Sequence, residues 1–204
     1  MLKKINSGEK SMVQDSQNTE VYELESQIRN QYGRLVFTYV THNKMADILI
    51  KRADRLELAL IITSSLTLAG ILLPFVNTFY PEINFWFSIT SACLSIIVVT
   101  LTIIIKTANH KERSYKHKNT ANALWKLREE YLSLLADMKY IPVDDVRRKR
   151  DLLIQKTEEV YSCAPQTSAK AYKMAQKAIN EEEEQFLSDE EIDNMLPVDL
   201  RRGN

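Results

Sequence analysis

The chain is poor in the residues that break or staple a polypeptide. Its 204 residues include four Gly, five Pro and two Cys. So few breakers exclude extensive loops away from the chain ends. Cys93 lies inside an apolar run and Cys163 in a polar part, so both are expected as free thiols, with no disulfide framework and no zinc site. No secretory signal is expected, because the first apolar run begins only at Leu58, after a long charged segment. The signatures of catalysis are missing too. The chain has no Gly-rich phosphate loop, no Walker-type motif and no Ser or Cys nucleophile pattern. His42, His110 and His117 are far apart, and none has metal-ligand spacing to a second His or Cys. His110 and His117 are seven residues apart on one helix face, which reads as a solvated basic face. The chain is therefore expected not to be an enzyme and to hold no cofactor or metal.

One further absence organises the rest. Residues 58–81 carry no charged side chain, and neither do residues 83–105. At about 1.5 Å of rise per residue, each run reaches roughly 35 Å as a helix, enough for a hydrocarbon core of about 30 Å. The fold class is all-α: a two-helix transmembrane hairpin over 58–105, with spans of about 58–79 and 84–105. Overall the chain is 26% charged with a formal net charge of +0, an average that hides an apolar centre between polar arms.

Orientation follows from the basic residues. Lys44, Lys51, Arg52 and Arg55 precede the first span, and Lys106, Lys111, Arg113, Lys116 and Lys118 follow the second. The turn from Asn77 to Asn84 has no Lys or Arg. The positive-inside rule places both termini in the cytoplasm, and Phe79, Tyr80, Phe85, Trp86 and Phe87 then form an aromatic belt at the outer surface. The basic flanks, chiefly Lys51, Arg52, Arg55, Lys106, Lys111 and Arg113, would meet anionic headgroups, with about 1 kcal/mol from each basic residue.

Around the hairpin, residues 1–18 are polar and aperiodic and are expected to be disordered. Thr19 starts an amphipathic helix over 19–57 with Leu24, Ile28, Tyr32, Leu35 and Tyr39 on one face and a pause near Thr41, His42 and Asn43. Residues 106–187 read as cytoplasmic helices. The first continues the second span to about Lys139, and Pro142 interrupts it. Asp144 or Asp145 caps the next. The stretch from Tyr161 to Ser168 is a turn that leads into a helix bearing Ala171, Tyr172 and Ala175. Glu181 to Glu184 and the tail over 188–204 are acidic. The soluble helices on both sides of the hairpin would pack as one antiparallel bundle.

Within the first span Thr63, Thr67, Gly70 and Pro74 share one face, and in the second Ser88, Ser91, Ala92, Ser95 and Thr102 form a comparable stripe. Two readings stay open. Small and hydroxyl residues let helices approach and bond across, or these faces line a water-filled path once several hairpins assemble. The basic run Arg147-Arg148-Lys149-Arg150 sits among Asp144, Asp145 and Asp151, and reads as a solvated helix start rather than a nucleic-acid site.

Three parts of the chain resemble the SLATT family, small two-span membrane proteins of bacterial conflict systems. They are the amphipathic segment from Ile28 to Leu35, the hairpin with its basic flanks, and the Tyr161–Ser168 turn with its Ala171-Tyr172 helix. The resemblance implies an anti-phage membrane effector that oligomerises and permeabilises the inner membrane. It also implies a separate partner, a defence-system sensor or a nucleotide-synthesising enzyme, and supplies no catalytic residues. The partners expected are thus the lipid bilayer, further copies of the chain and that separate protein, with no direct nucleic-acid binding. The competing expectation is a membrane-anchored adaptor whose hairpin only tethers the bundle.

Overall fold

The computed structural model describes residues 2–76, 81–181 and 191–192, with side chains described in 19–72, 85–181 and 191–192. The described residues are helical with no strand. Five helices follow in order: α1 (Leu2–Val76), α2 (Pro81–Ala108), α3 (His110–Asp137), α4 (Val143–Cys163) and α5 (Ala169–Asn180).

α1 is 75 residues long, roughly 110 Å at 1.5 Å per residue. No proline interrupts it before Pro74, in its last turn. It includes residues 2–18, which the sequence leaves unstructured: Ser, Gln, Lys and Glu are adequate helix formers, and Gly8 alone does not stop propagation. The pause predicted near Thr41 is also absent. The Thr41 hydroxyl donates to the Phe37 carbonyl one turn back, which accommodates the β-branched residue inside the helix.

α2 and α3 run back along α1, and α4 and α5 lie on this antiparallel pair. The predicted single helix from the second span to Lys139 is instead two. Asn109 adopts a left-handed conformation, φ 44 and ψ 44, between α2 and α3. Asn tolerates this region better than most residues, and its side-chain amide donates to the Glu112 carboxylate.

The main core lies at the far end of the bundle. Leu24, Ile28 and Leu35 of α1 meet Leu124, Leu127, Tyr131 and Leu134 of α3, with Val146 and Leu153 of α4 closing the cluster. α5 buries small residues, with Ile179 packed beside them and the Tyr172 ring against Phe37. Ala175 and Ala178 seat against Val40, and Ala171 against Met45 and Leu49. Ser168 caps α5 by accepting from the Ala171 amide, as its position predicts. Two details differ from expectation. Pro142, not an aspartate, is the N-cap residue of α4, with Asp144 and Asp145 in the first turn facing the positive end of the helix dipole. Tyr161, Ser162 and Cys163 belong to α4, which shortens the connection to 164–168. Both cysteines are free and exposed.

The apolar centre behaves differently from the bundle. Only 6% of each most apolar window is buried, whereas a core helix of a water-soluble protein is mostly covered. Leu58, Ile61, Ile62, Leu66 and Leu68 on α1, and Ile96, Ile97, Val99, Ile103 and Ile104 on α2, face outward. At about 1 kcal/mol for each half-exposed aliphatic chain, leaving them in water costs on the order of 10 kcal/mol, comparable to the whole stability of a domain. Lipid removes that cost. The aromatic residues Phe79 and Tyr80 lie outside the described residues, while Phe85, Trp86 and Phe87 are exposed at the start of α2.

Candidate functional site

The site is the line along which α1 meets α2 and α3, from the middle of the hairpin down to the bundle. In the hairpin this seam is narrow. Thr67 and Ser91 are its buried polar residues, and Thr63, Gly70 and Ser95 are half-buried beside them. The Ser91 hydroxyl donates across the seam to the Thr67 carbonyl at 2.9 Å. Gly70 allows this close approach: a Cβ at this position would lie 3.2 Å from both Cβ and Oγ of Ser91, a tight contact that Ser91 would have to yield to. Five of the nine positions singled out by spacing, Thr63, Thr67, Gly70, Ser91 and Ser95, are thus brought together. Ser88, Ala92 and Thr102 are exposed, Thr102 lines the opening between α1 and α2 at the base of the spans, and the Pro74 side chain lies outside the described residues.

The remaining hydroxyls of the spans look inward to their own helices. Thr63, Ser64, Ser65 and Thr67 in α1, and Thr90, Ser95, Thr100 and Thr102 in α2, each donate to the carbonyl four residues back. This leaves no donor seeking water, which is what lipid exposure demands.

Where the spans end, the seam opens and becomes polar. Lys111 of α3 reaches the Glu57 carboxylate of α1 at 2.6 Å. That hydrogen bond raises the Lys111 pKa and holds the ammonium charged. Lys51, Arg52, Arg55, Lys106 and Arg113 are exposed around this level. Together with Lys111 they form the basic collar that the sequence predicts, although Lys111 is bound to an acid within the chain.

Below the collar is a feature that the sequence does not reveal by spacing. His42 of α1 and His117 of α3 are buried, 3% and 1% exposed, with their Nδ1 atoms 3.0 Å apart. One ring donates its Nδ1–H and the other accepts. Burial, with the facing His117, pushes the His42 pKa down to about 4. Burial, and then Arg113, lowers His117 as well, so the pair is neutral at physiological pH. Around it Ser114 donates to the Ala46 carbonyl at 2.9 Å, and Lys118 to the Asn43 side chain at 2.8 Å. A polar layer thus separates the lipid-facing hairpin from the apolar bundle core. His117 is not the solvated residue its helix face suggests; His110, half-buried, lies nearer the spans. The antiparallel register was the available signal. His42 and His117, Ala46 and Ser114, Asn43 and Lys118, and Thr67 and Ser91 are all pairs centred on the connecting turn.

Among the described residues no group of three or more His, Cys, Asp or Glu side chains is placed to hold a metal. The basic run of α4 is consumed by pairing: Arg147 binds Glu20, Arg148 binds Asp145, and Arg150 binds Asp151 and Gln27.

A lipid-facing two-helix hairpin packed on small residues and rooted in a helical bundle defines a two-span membrane protein. The chain belongs to the SMODS and SLOG-associating 2TM effector domain family 4, whose family model matches residues 24–191. No curated protein and no solved structure matches it.

Proposed function

We propose that the chain is the membrane effector of a bacterial anti-phage defence system. Several copies assemble in the inner membrane with both termini in the cytoplasm. A separate partner, a sensor or a nucleotide-synthesising enzyme, triggers the assembly to form a pore or disrupt the bilayer. Family membership supports the effector role, and the basic residues flanking the spans support the orientation.

The observation that carries the reading is the closed seam. Gly70 and Ser91 meet in close contact and Ser91 bonds to the Thr67 carbonyl, so the two spans of one copy touch rather than part at mid-membrane. Conduction then requires several copies, with any path running between hairpins. Nucleic acid is not a direct partner in this reading, because the α4 arginines are neutralised within the chain.

Co-expression with the activating partner tests it. The inner membrane should depolarise, as read by a voltage-sensitive dye, and a retained potential under activation overturns the proposal. The second reading is an adaptor tethered by its hairpin, favoured by a bundle core that includes no residue of the spans. Replacing 58–105 by an unrelated hairpin of equal length preserves the activity of a tether and abolishes that of a pore.

A further inference from the structure

A cavity of about 560 Å³ opens where α1, α2 and the start of α3 meet, within the range of about 300–1,000 Å³ typical of small-molecule sites. Leu56 and Leu60 of α1 and Ile105 of α2 form its apolar part, and Lys106, His110 and Lys111 its polar part. We propose that this cavity is a binding site for an anionic phospholipid, whose phosphate meets Lys106 and Lys111 and whose acyl chain lies on Leu56, Leu60 and Ile105. The proposal rests on the reading that a bilayer surrounds the hairpin.

Three observations select this occupant. The first is depth. The apolar lining comes from the ends of the two uncharged runs and the polar lining from the first charged residues beyond them, the order met along a phospholipid from chain to headgroup. The second is charge. Among the described residues Lys106 has no carboxylate partner, and Arg52, Arg55 and Arg113 are exposed at the same level. Glu57, the cavity's acidic lining residue, is held by Lys111. The balance favours an anion, and basic pockets between spans on the cytoplasmic side suit anionic headgroups. The third is an unmet hydrogen bond. Nδ1 of His110 is buried and has no partner in the protein. Burial, with Arg113 and Arg52 beside it, lowers the His110 pKa, so the ring enters the site neutral. A turn of the His110 ring, which lines the cavity, would bring this nitrogen to a phosphate oxygen or a headgroup hydroxyl.

The left-handed break at Asn109 matters here. It interrupts the helix inside the cavity wall, where the end of α2 meets the start of α3. Glu112, the acid of that first turn, is directed to Lys116 and Asn109.

The test uses the full chain in detergent, with native mass spectrometry to count retained lipid after equal additions of phosphatidylglycerol and phosphatidylcholine. The expected result is preferential retention of phosphatidylglycerol. Removing one cavity cation, Lys106→Gln, should weaken it about five-fold. Leu60→Trp, which fills the apolar part, should also weaken it, while Lys149→Gln, far along α4, should not. Equal retention of the two lipids, or losses no larger than in Lys149→Gln, overturns the site. Displacement by millimolar inorganic phosphate with no lipid preference overturns the choice of a lipid. A chain that stays in solution without detergent removes the bilayer reading itself. A chain that inserts into nanodiscs without preferring phosphatidylglycerol removes this site alone.

Discussion

Protonating the buried histidine pair should loosen the root of the hairpin, and the size of the effect follows from its surroundings. His42 titrates at about 4 in the folded chain against an ordinary 6.5. At 1.36 kcal/mol per pKa unit, placing a charge on this 97% covered ring costs about 3 kcal/mol. The folded state holds fewer protons than the unfolded state between those two values. Stability is therefore unaffected above pH 6.5 and declines as pH falls toward 4. At pH 5 the loss from His42 is about 2 kcal/mol, or about 4–8 °C in Tm for a chain of this size. Arg113 opposes the charged form of His117 and adds to the effect in the same direction. The assay is thermal unfolding of the full chain in detergent at pH 7.5 and pH 5, for the native chain and for His42→Leu with His117→Leu. Removing both rings leaves no stranded partner in this pair, so the double variant should lose the His42 and His117 share of the acid shift and keep only what His110 carries. Each single substitution strands a buried donor or acceptor at a cost of about 1–3 kcal/mol, so the pair should be less than additive. An equal acid shift in the native chain and the double variant refutes the argument.

Other positions give sharp outcomes. Gly70→Leu forces atoms into the 3.2 Å approach to Ser91 and should destabilise the hairpin by about 1–3 kcal/mol, seen as a lower Tm and loss of cysteine cross-linking between engineered positions on α1 and α2. Ser91→Ala removes a hydrogen bond across the seam worth about 0.6 kcal/mol in a membrane, and should leave Tm within a few degrees. Asn109→Gly keeps the left-handed break, whereas Asn109→Val should cost about 1–2 kcal/mol, read by the same melts. Ser168→Ala removes the α5 cap at about 1 kcal/mol, and should speed proteolytic cleavage at the 164–168 connection.

Much of this architecture is written in features that act over a few residues. Uninterrupted apolar length identifies the spans, Pro142 the end of the α3 region, and Ser168 the start of α5. These are decided by local backbone and solvent preferences, so a single segment suffices to read them. The misreadings share a cause. Thr41, His42 and Asn43 look like a pause because polar residues in mid-helix usually compete with the backbone. Here they are polar because the antiparallel partner brings His117, Ser114 and Lys118 opposite. His117 looks solvated for the same reason, since α3 considered alone has no information about what α1 covers.

The small-residue stripes show how far pairing changes meaning. Thr63, Thr67, Gly70, Ser91 and Ser95 are equally consistent with a wet path or a dry contact until the two helices are placed together. Placed together, they meet one another within a single copy. The outward faces are then left with aliphatic chains and self-satisfied hydroxyls, a surface compatible both with lipid and with another hairpin. In an assembly that opens, the change must therefore come from outside the seam. A buried polar contact that can take up charge, between His42 and His117, lies just beneath it. Loosening that contact alters how α3 is held against α1 while leaving Gly70 and Ser91 in place.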